Sequence, residues 1–198
     1  MRKFLTLLAM IAISASVFAQ KEVTKFMGIP VDGSPTEMIK KLKTKGFKTD
    51  EDFIQAVKRG SVDWDGPELL IGRFNGEKVR VSLLVEQNKV CRICLSDKNN
   101  RDETQIKIRF NNLVRQFENN DKYVPYFDDE QTIADDEDIS YQMTVNKKQY
   151  EAVFGQKGED GTVDEKRIVW FTIVEGSDGY KIAMFYDNKY NEADGSDL

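Results

Sequence analysis

Hydrophobic and polar residues alternate along several segments of the chain, which predicts β-strands with one buried face. In the first half these segments are Glu68–Phe74, Glu77–Val85 and Asn88–Leu95. Asn75-Gly76 separates the first two, and this dipeptide favours the positive backbone angles of a tight hairpin turn. The three segments are therefore predicted to form an antiparallel meander.

In the second half, Ile139–Val145 and Lys148–Phe154 alternate in the same way and are predicted to pair as a hairpin. Its inward-facing residues would be Ile139, Tyr141, Met143 and Val145. Asp121–Asp138 is acidic and irregular, which predicts a long loop, and Gly155–Glu165 is predicted to be a charged connector.

The last predicted hairpin joins Lys166–Val174 to Tyr180–Tyr186 through a turn at Asp178-Gly179. This arrangement places Ile173 opposite Met184, and Phe171 opposite Tyr186, on an apolar face with Val169 and Ile182. The other face is also partly apolar, and it holds Trp170, Thr172, Val174, Lys181, Ala183 and Phe185. A sheet that is apolar on both sides needs something to cover its second face. That cover is either another part of this chain or a partner.

Helical periodicity predicts three helices. The first begins with Ser34 as its N-cap, Pro35 at its first position and Glu37 completing a capping box, and it ends at Gly46. A second, capped by Thr49, is predicted from Thr49 to Arg59. The third is predicted over Asp102–Glu118, where Ile106, Phe110, Leu113 and Phe117 recur at helical spacing.

This order of elements predicts an α+β fold with helices packed on antiparallel β-sheet. The predicted boundaries are a helix-plus-meander unit over 24–98 and a helix-plus-hairpins unit over 99–198. The two units are either tandem or parts of one compact domain. No sequence repeat relates them.

Met1–Ala19 has the organisation of a signal peptide, in which Arg2 and Lys3 precede an apolar run from Phe4 to Ile13. We expect cleavage near Ala19-Gln20 and a periplasmic or secreted protein. No later apolar run approaches the roughly 18–20 residues of a membrane span. No cysteine lies immediately after the cleavage point either, so we expect neither a membrane span nor a lipid anchor.

Composition excludes several functions. The chain contains no histidine, which removes serine and cysteine hydrolases with a histidine base and zinc sites with histidine ligands. Its formal net charge is −5, and loss of Arg2 and Lys3 with the signal peptide makes it −7. Nucleic acid is therefore not an expected partner, because phosphate binding depends on an excess of Lys and Arg.

Cys91 and Cys94 form a C-x-x-C spacing, which in an exported protein invites a redox interpretation. Their context predicts a strand instead, and three residues along a strand span about 10 Å. A disulfide needs Cα atoms within roughly 7 Å, so we expect two unpaired cysteines, one of them in the core. Acidic runs at Asp128–Glu130 and Asp135–Asp138 lack the spacing of an EF-hand, and whether they bind calcium stays open.

Two blocks of sequence resemble small exported proteins of uncharacterised function from anaerobic gut bacteria. One is FMGIPVDGSPTEM from Phe26 to Met38, with its helix stop at Gly46-Phe47, and the other runs from Tyr186 to Leu198. Some exported proteins of this kind have a fold similar to the beta-lactamase inhibitor protein, with helix pairs packed on antiparallel sheets. The resemblance implies a binding or inhibitory scaffold, although it indicates no particular target.

These observations favour a non-catalytic exported binding module without cofactor or metal, whose partner is an unknown protein or envelope component. Its predicted contact residues are Trp170, Thr172, Lys181 and Phe185. Two alternatives remain. One is a structural or assembly protein of the cell envelope, and the other is a secreted hydrolase that uses two carboxyl groups about 5–10 Å apart.

Overall fold

The computed structural model describes residues 21–176 and 178–192. The predicted signal peptide, Met1–Ala19, lies outside the described residues, as do the last six residues of the second resemblance block.

Four helices and ten strands make up the described chain. The helices are α1 (Pro35–Thr44), α2 (Glu51–Lys58), α3 (Glu103–Glu118) and α4 (Ile139–Thr144). The strands are β1 (Lys25–Phe26), β2 (Ile29–Pro30), β3 (Lys48–Thr49), β4 (Leu70–Phe74), β5 (Glu77–Glu86), β6 (Lys89–Asp97), β7 (Tyr123–Pro125), β8 (Glu151–Lys157), β9 (Val163–Gly176) and β10 (Gly179–Asn188).

Eight of these strands form one antiparallel sheet in the order β3-β4-β5-β6-β10-β9-β8-β7, and β1 and β2 form a small separate pair. The α+β class with antiparallel sheet is therefore confirmed. The first half of the chain supplies one side of the large sheet and the second half supplies the other. They join where β6 pairs with β10, so the last strand in the chain lies at the centre of the sheet.

The core lies on one face of the sheet only. Alternate strand residues on that face, such as Val81, Ile93, Met184 and Phe171, are buried against α1, α3 and α4. The longest helix, α3, crosses the centre, and its Phe110 meets Phe171 edge-on with ring centroids 5.2 Å apart. Helix α2 has no fully buried residue and lies at the β3–β4 edge of the sheet.

The predicted helix starts and stops are largely confirmed. The Ser34 side chain accepts a hydrogen bond from the Glu37 N–H, Pro35 opens α1, and Gly46 follows its end with a φ of +92°. Asp102 caps α3. The predicted cap of α2 was wrong, because Thr49 belongs to β3 and the Asp50 carboxylate accepts from the Phe53 N–H instead.

The hairpin predicted between Ile139–Val145 and Lys148–Phe154 is wrong, because its first segment is not a strand and its second, β8, begins at Glu151 and pairs with β7 and β9. Ile139–Thr144 forms helix α4, which the Asp138 side chain caps by accepting from the Tyr141 N–H at 2.7 Å. Ile139 and Met143 lie four residues apart and face the core, whereas Tyr141 and Val145 are 54% and 56% exposed. Over so short a segment, residues spaced by four satisfy both the strand and the helix pattern, and the aspartate cap favours the helix.

The last hairpin forms with the predicted faces and a different register. Ile173 lies opposite Ile182, and Phe171 opposite Met184, so the predicted partners Met184 and Tyr186 were wrong by two residues. The strands run further toward the turn than predicted. A slip of two residues preserves which side chains share a face, so the predicted core face, including Val169, is confirmed.

Candidate functional site

The sheet face opposite the core, called here the open face, carries a continuous row of side chains across five strands. The register places Ser82, Cys94, Phe185, Trp170 and Val153 side by side on β5, β6, β10, β9 and β8. We name these five residues the aromatic row, after the two rings at its centre. The row exists only because β6 pairs with β10.

Trp170 and Phe185 form a stacked pair, with ring centroids 4.1 Å apart and ring planes 24° from parallel. Both residues are half-buried. The Arg92 guanidinium lies over the two rings, 5.7 and 5.5 Å from their centroids. In the described chain, the contacts of these rings are with residues of the strands, and no helix covers them.

A buried ion pair holds the stacked rings in place. Asp187 is 2% exposed, and it accepts hydrogen bonds from Arg92 Nη2 at 2.8 Å and from Trp170 Nε1 at 2.9 Å. The hydrogen bond to Asp187 is the main reason that the pKa of Arg92 is raised. One carboxylate therefore fixes both the arginine and the indole, which keeps the stacked pair in one orientation.

Four basic residues form a second row on the open face, four positions along the strands from the aromatic row. Arg73 lies directly opposite Lys78, Lys98 follows β6 and donates its N–H to the Lys78 carbonyl, and Lys181 lies on β10. We name these residues the basic row. At 3.3 Å per residue, about 13 Å separate the two rows.

None of the four side chains in the basic row forms a salt bridge with a described residue. Like charges that lie directly opposite each other on a sheet destabilise it. The chain as a whole is acidic, so its composition does not account for a cationic row. The basic row is therefore a local positive patch on an acidic protein.

Small side chains separate the two rows. Ser96, Ala183 and Thr172 lie side by side on β6, β10 and β9, and Arg80 continues their line on β5. Arg80 forms an ion pair of 2.8 Å with Asp50, the cap of α2. The surface between the aromatic row and the basic row is therefore shallow and largely uncharged, except at its α2 edge.

The structure brings the four predicted contact residues onto one face. Trp170 and Phe185 touch each other, Thr172 lies between the rows, and Lys181 belongs to the basic row. The sequence did not identify Arg92 and Asp187 as supports of the rings, or the other members of the basic row. Strand alternation places Lys78 and Arg92 outward, but the β6–β10 pairing that joins them to Trp170 leaves no local signal in the sequence.

Cys91 and Cys94 are free, as predicted. Cys91 occupies a bulge between β5 and β6, where it is fully buried outside the main hydrophobic cluster, and Val90 takes the core position. Burial raises the pKa of the Cys91 thiol to about 11 and also raises that of Cys94. Both thiols are therefore held in their unreactive protonated form, which does not favour redox chemistry.

A cavity of about 700 Å³ lies on the helical side of the sheet, between the end of α3 and the N-terminal segment 22–28. Glu22 and Glu159 lie at its rim, and both bind Lys25 Nζ, at 3.1 and 2.8 Å. Their carboxyl groups are therefore close enough to serve as the pair that a carboxylate-dependent hydrolase needs. A backbone hydrogen bond from Glu159, assisted by Lys25, lowers the pKa of Glu22. Glycoside hydrolysis needs one carboxyl group with a raised pKa, and the pKa of Glu22 is shifted in the opposite direction.

The acidic runs have structural contacts. Glu137 accepts from the Tyr150 hydroxyl at 2.6 Å and binds Lys148, and Asp138 caps α4. Within residues 21–176 and 178–192, no three His, Cys, Asp or Glu side chains come together as a metal site would require. No helix in the same part of the chain combines the length and apolar composition needed to cross a bilayer.

The structure therefore presents two concave or uncovered surfaces, the open face and the cavity, and only the first contains the predicted contact residues. Comparison of the chain with protein-family models, curated proteins and solved structures gives no match.

Proposed function

We propose that this chain is a non-catalytic exported binding module that uses its open face to hold a protein partner outside the cytoplasm. The observation that carries the proposal is the combination on one uncovered face of a fixed aromatic pair and a row of unpaired cations. Interfaces are enriched in Trp and Arg anchors of this kind, and such anchors supply most of the binding energy.

The two rows define the chemistry of the partner. An apolar side chain would pack beside Trp170 and Phe185, and carboxylates about 13 Å away would face the basic row. The partner is therefore an acidic protein surface with an apolar protrusion. The small residues around Thr172 leave room for a main chain to cross between the two contacts.

The geometry favours a protein over a sugar. A sugar binds by laying its ring on the open face of an aromatic side chain. Trp170 and Phe185 instead cover each other, and Arg92 lies over both rings. These contacts leave ring edges for a partner, and edges suit the apolar and aromatic side chains of proteins.

The strand order supports an inhibitor-like scaffold of two helix-plus-sheet units. Each half of the chain contributes four strands to one sheet, with α1, α3 and α4 on a single side and α2 at the β3–β4 edge. Such an arrangement leaves the opposite sheet face free for a partner, which is how the beta-lactamase-inhibitor-like resemblance would translate into function. The target of inhibition, if the partner is an enzyme, is a separate question.

The proposal is tested by photo-crosslinking in an envelope extract. A benzophenone amino acid placed at Thr172 should give one discrete adduct of higher mass, whereas the same group at Asn112, on the exposed side of α3, should give none. Trp170→Ala should weaken the interaction about tenfold, as loss of an anchor does, and Lys181→Glu should weaken it further.

Equal adducts at Thr172 and Asn112, or an adduct that survives both substitutions, would contradict the proposal. An adduct of twice the chain mass would support the alternative, a structural or assembly protein in which the open face binds a second copy. Light scattering on the purified protein then decides, because a stable dimer is expected only for that alternative.

A further inference from the structure

The cavity beside the end of α3 has the properties of a small-molecule site. Its volume of about 700 Å³ lies within the range of 300–1,000 Å³ that is usual for ligand pockets. Its walls come from the N-terminal segment 22–28, the β4–β5 turn, the end of α3, the start of β7 and the end of β8. It lies on the core side of the sheet, so it is separate from the open face.

Aromatic side chains form the floor of the cavity and are fixed by their neighbours. Phe117 and Tyr123 meet edge-on at 4.6 Å between centroids, and Phe74 and Tyr186 meet edge-on at 6.3 Å. Phe117 and Tyr186 also belong to the buried core. A floor built from core residues is already formed before a ligand arrives, which lowers the entropic cost of binding.

Gln156 ties the N-terminal segment to this floor. Its side chain is 7% exposed, accepts from the Lys25 N–H at 2.6 Å and donates to the Lys25 carbonyl at 2.9 Å. The same Nε2 donates to the Tyr123 hydroxyl at 3.2 Å. The Gln156 oxygen therefore faces the backbone, and the amide presents only a donor to the tyrosine.

The two phenol groups lie next to each other, and burial raises the pKa of both, so both stay protonated at neutral pH. Tyr123 and Tyr186 together carry two O–H donors, and one of these can be donated within the pair. Gln156 offers no acceptor to them. One phenolic O–H is therefore left to donate to an oxygen atom of a molecule in the cavity.

The mouth of the cavity carries unequal charges. Lys25 is matched by Glu22 and Glu159, whereas Lys122 and Lys157 form no salt bridge with described residues. These two lysines are neighbours, because the Lys157 N–H donates to the Lys122 carbonyl at 2.8 Å. Lys122 lies just beyond the carbonyl end of α3, where positive charge is favoured by the helix dipole. Lys157 has no comparable structural role.

We propose that this cavity binds a small organic anion, whose ring or chain lies on the aromatic floor. Its carboxylate accepts from the free phenolic O–H of Tyr123 or Tyr186 and faces Lys157. Neither the open face nor its protein partner takes part, so the chain would carry two independent binding sites.

Calorimetric titration with two probes of equal size tests this proposal. The probes are 1-naphthylacetate and its uncharged amide, 1-naphthylacetamide, and the protein is purified after expression of the full chain. We expect saturable 1:1 binding of both, with the anion bound roughly fivefold more tightly, which is what one hydrated charge pair supplies. Lys157→Gln should remove that preference and leave amide binding unchanged.

A blocking variant and its matched control locate the site. Gln116→Trp places a large ring at the mouth from the exposed side of α3, and it should weaken binding of both probes at least about tenfold. Asn112→Trp, one turn earlier on the same helix and outside the cavity, should change nothing. Equal melting temperatures for the two variants would show that folding is intact.

Absence of saturable binding, or binding unaffected by Gln116→Trp, would overturn the proposal. Equal affinity for the anion and the amide would overturn its charge component. These outcomes are independent of the crosslinking at Thr172, so either site can fail while the other stands.

Discussion

Phe171 and Trp170 are neighbours in the chain that lie on opposite faces of one sheet, and the two faces are held together differently. Phe171 is fully buried and contacts Phe110 and Phe117 of α3. Trp170 is half-buried and is fixed by Phe185 and Asp187 on the adjacent strand β10 and by Arg92 on β6, the strand beyond it. The core face is ordered by a covering helix, and the open face is ordered within its own plane.

The difference has a physical meaning for binding. An aromatic side chain on an uncovered sheet face normally samples several rotamers, and a partner would have to immobilise it at a cost of about 0.5–1.5 kcal/mol. Asp187 holds the Trp170 indole before any partner arrives. The open face therefore combines partial exposure with a fixed geometry.

The largest effect is expected from Phe171→Ala, which should reduce the free energy of unfolding by about 3–5 kcal/mol, because it removes a core ring and leaves a cavity. Trp170→Ala, its matched control, should cost less, about 2 kcal/mol, because the half-buried ring loses its contact with Phe185 and its hydrogen bond to Asp187. Urea unfolding measures both. Similar losses for the two variants would mean that the open face is part of the core.

A smaller effect is expected from Asp187→Asn, which keeps an oxygen for the Trp170 N–H and removes the charge that pairs with Arg92. Arg92 is partly exposed, so we expect a loss of about 2 kcal/mol in urea unfolding, below that for breaking a fully buried pair. Glu192→Gln is the control, because Glu192 lies 3.6 Å from the same guanidinium in a more exposed position. Its effect should be close to zero, and equal losses would refute the assigned role of Asp187.

The smallest effect is expected at the α2 edge of the open face. Burial acts to raise the pKa of the Asp50 carboxyl group. The hydrogen bond from Arg80 and the charge of Arg80 outweigh this effect, so the pKa of Asp50 lies below its ordinary value of 3.8. The ionised form therefore stabilises the fold at neutral pH, and this contribution is lost as the pH falls through the lowered value. Asp50→Asn keeps a helix cap and should cost about 0.5 kcal/mol at neutral pH.

The difference between wild type and Asp50→Asn should narrow between about pH 5 and about pH 2.5 in urea unfolding. Asp102→Asn is the control, since Asp102 caps α3 without a salt bridge to any described residue. A difference that stays constant across this pH range would show that the Arg80 pair does not contribute to stability.

Local patterns predicted most of the elements. Ser34 was identifiable as a cap because a capping side chain and the N–H that it accepts from are three residues apart. The two faces of the last hairpin were predictable because alternation depends only on parity, which survived a register error of two residues. The short segment Ile139–Thr144 was not, because its apolar spacing fits two periods and the cap of a six-residue helix is a weak signal.

The candidate site was predictable only in part. Trp170, Thr172, Lys181 and Phe185 share one hairpin, so alternation was enough to place them together. The basic row and the Arg92–Asp187 pair require β6 to lie beside β10, a contact between residues more than 80 positions apart. No local rule connects such distant strands, and Arg92 became visible as a partner of Trp170 only in the assembled sheet.

The central position of β10 also constrains how the chain folds. Residues 179–188 insert between β6 and β9, so the two halves of the sheet cannot join until this strand is in place. Up to that point β6 exposes a long unpaired edge, which is a template for aggregation. Pairing of β10 with both β6 and β9 is therefore the step that joins the two halves of the sheet.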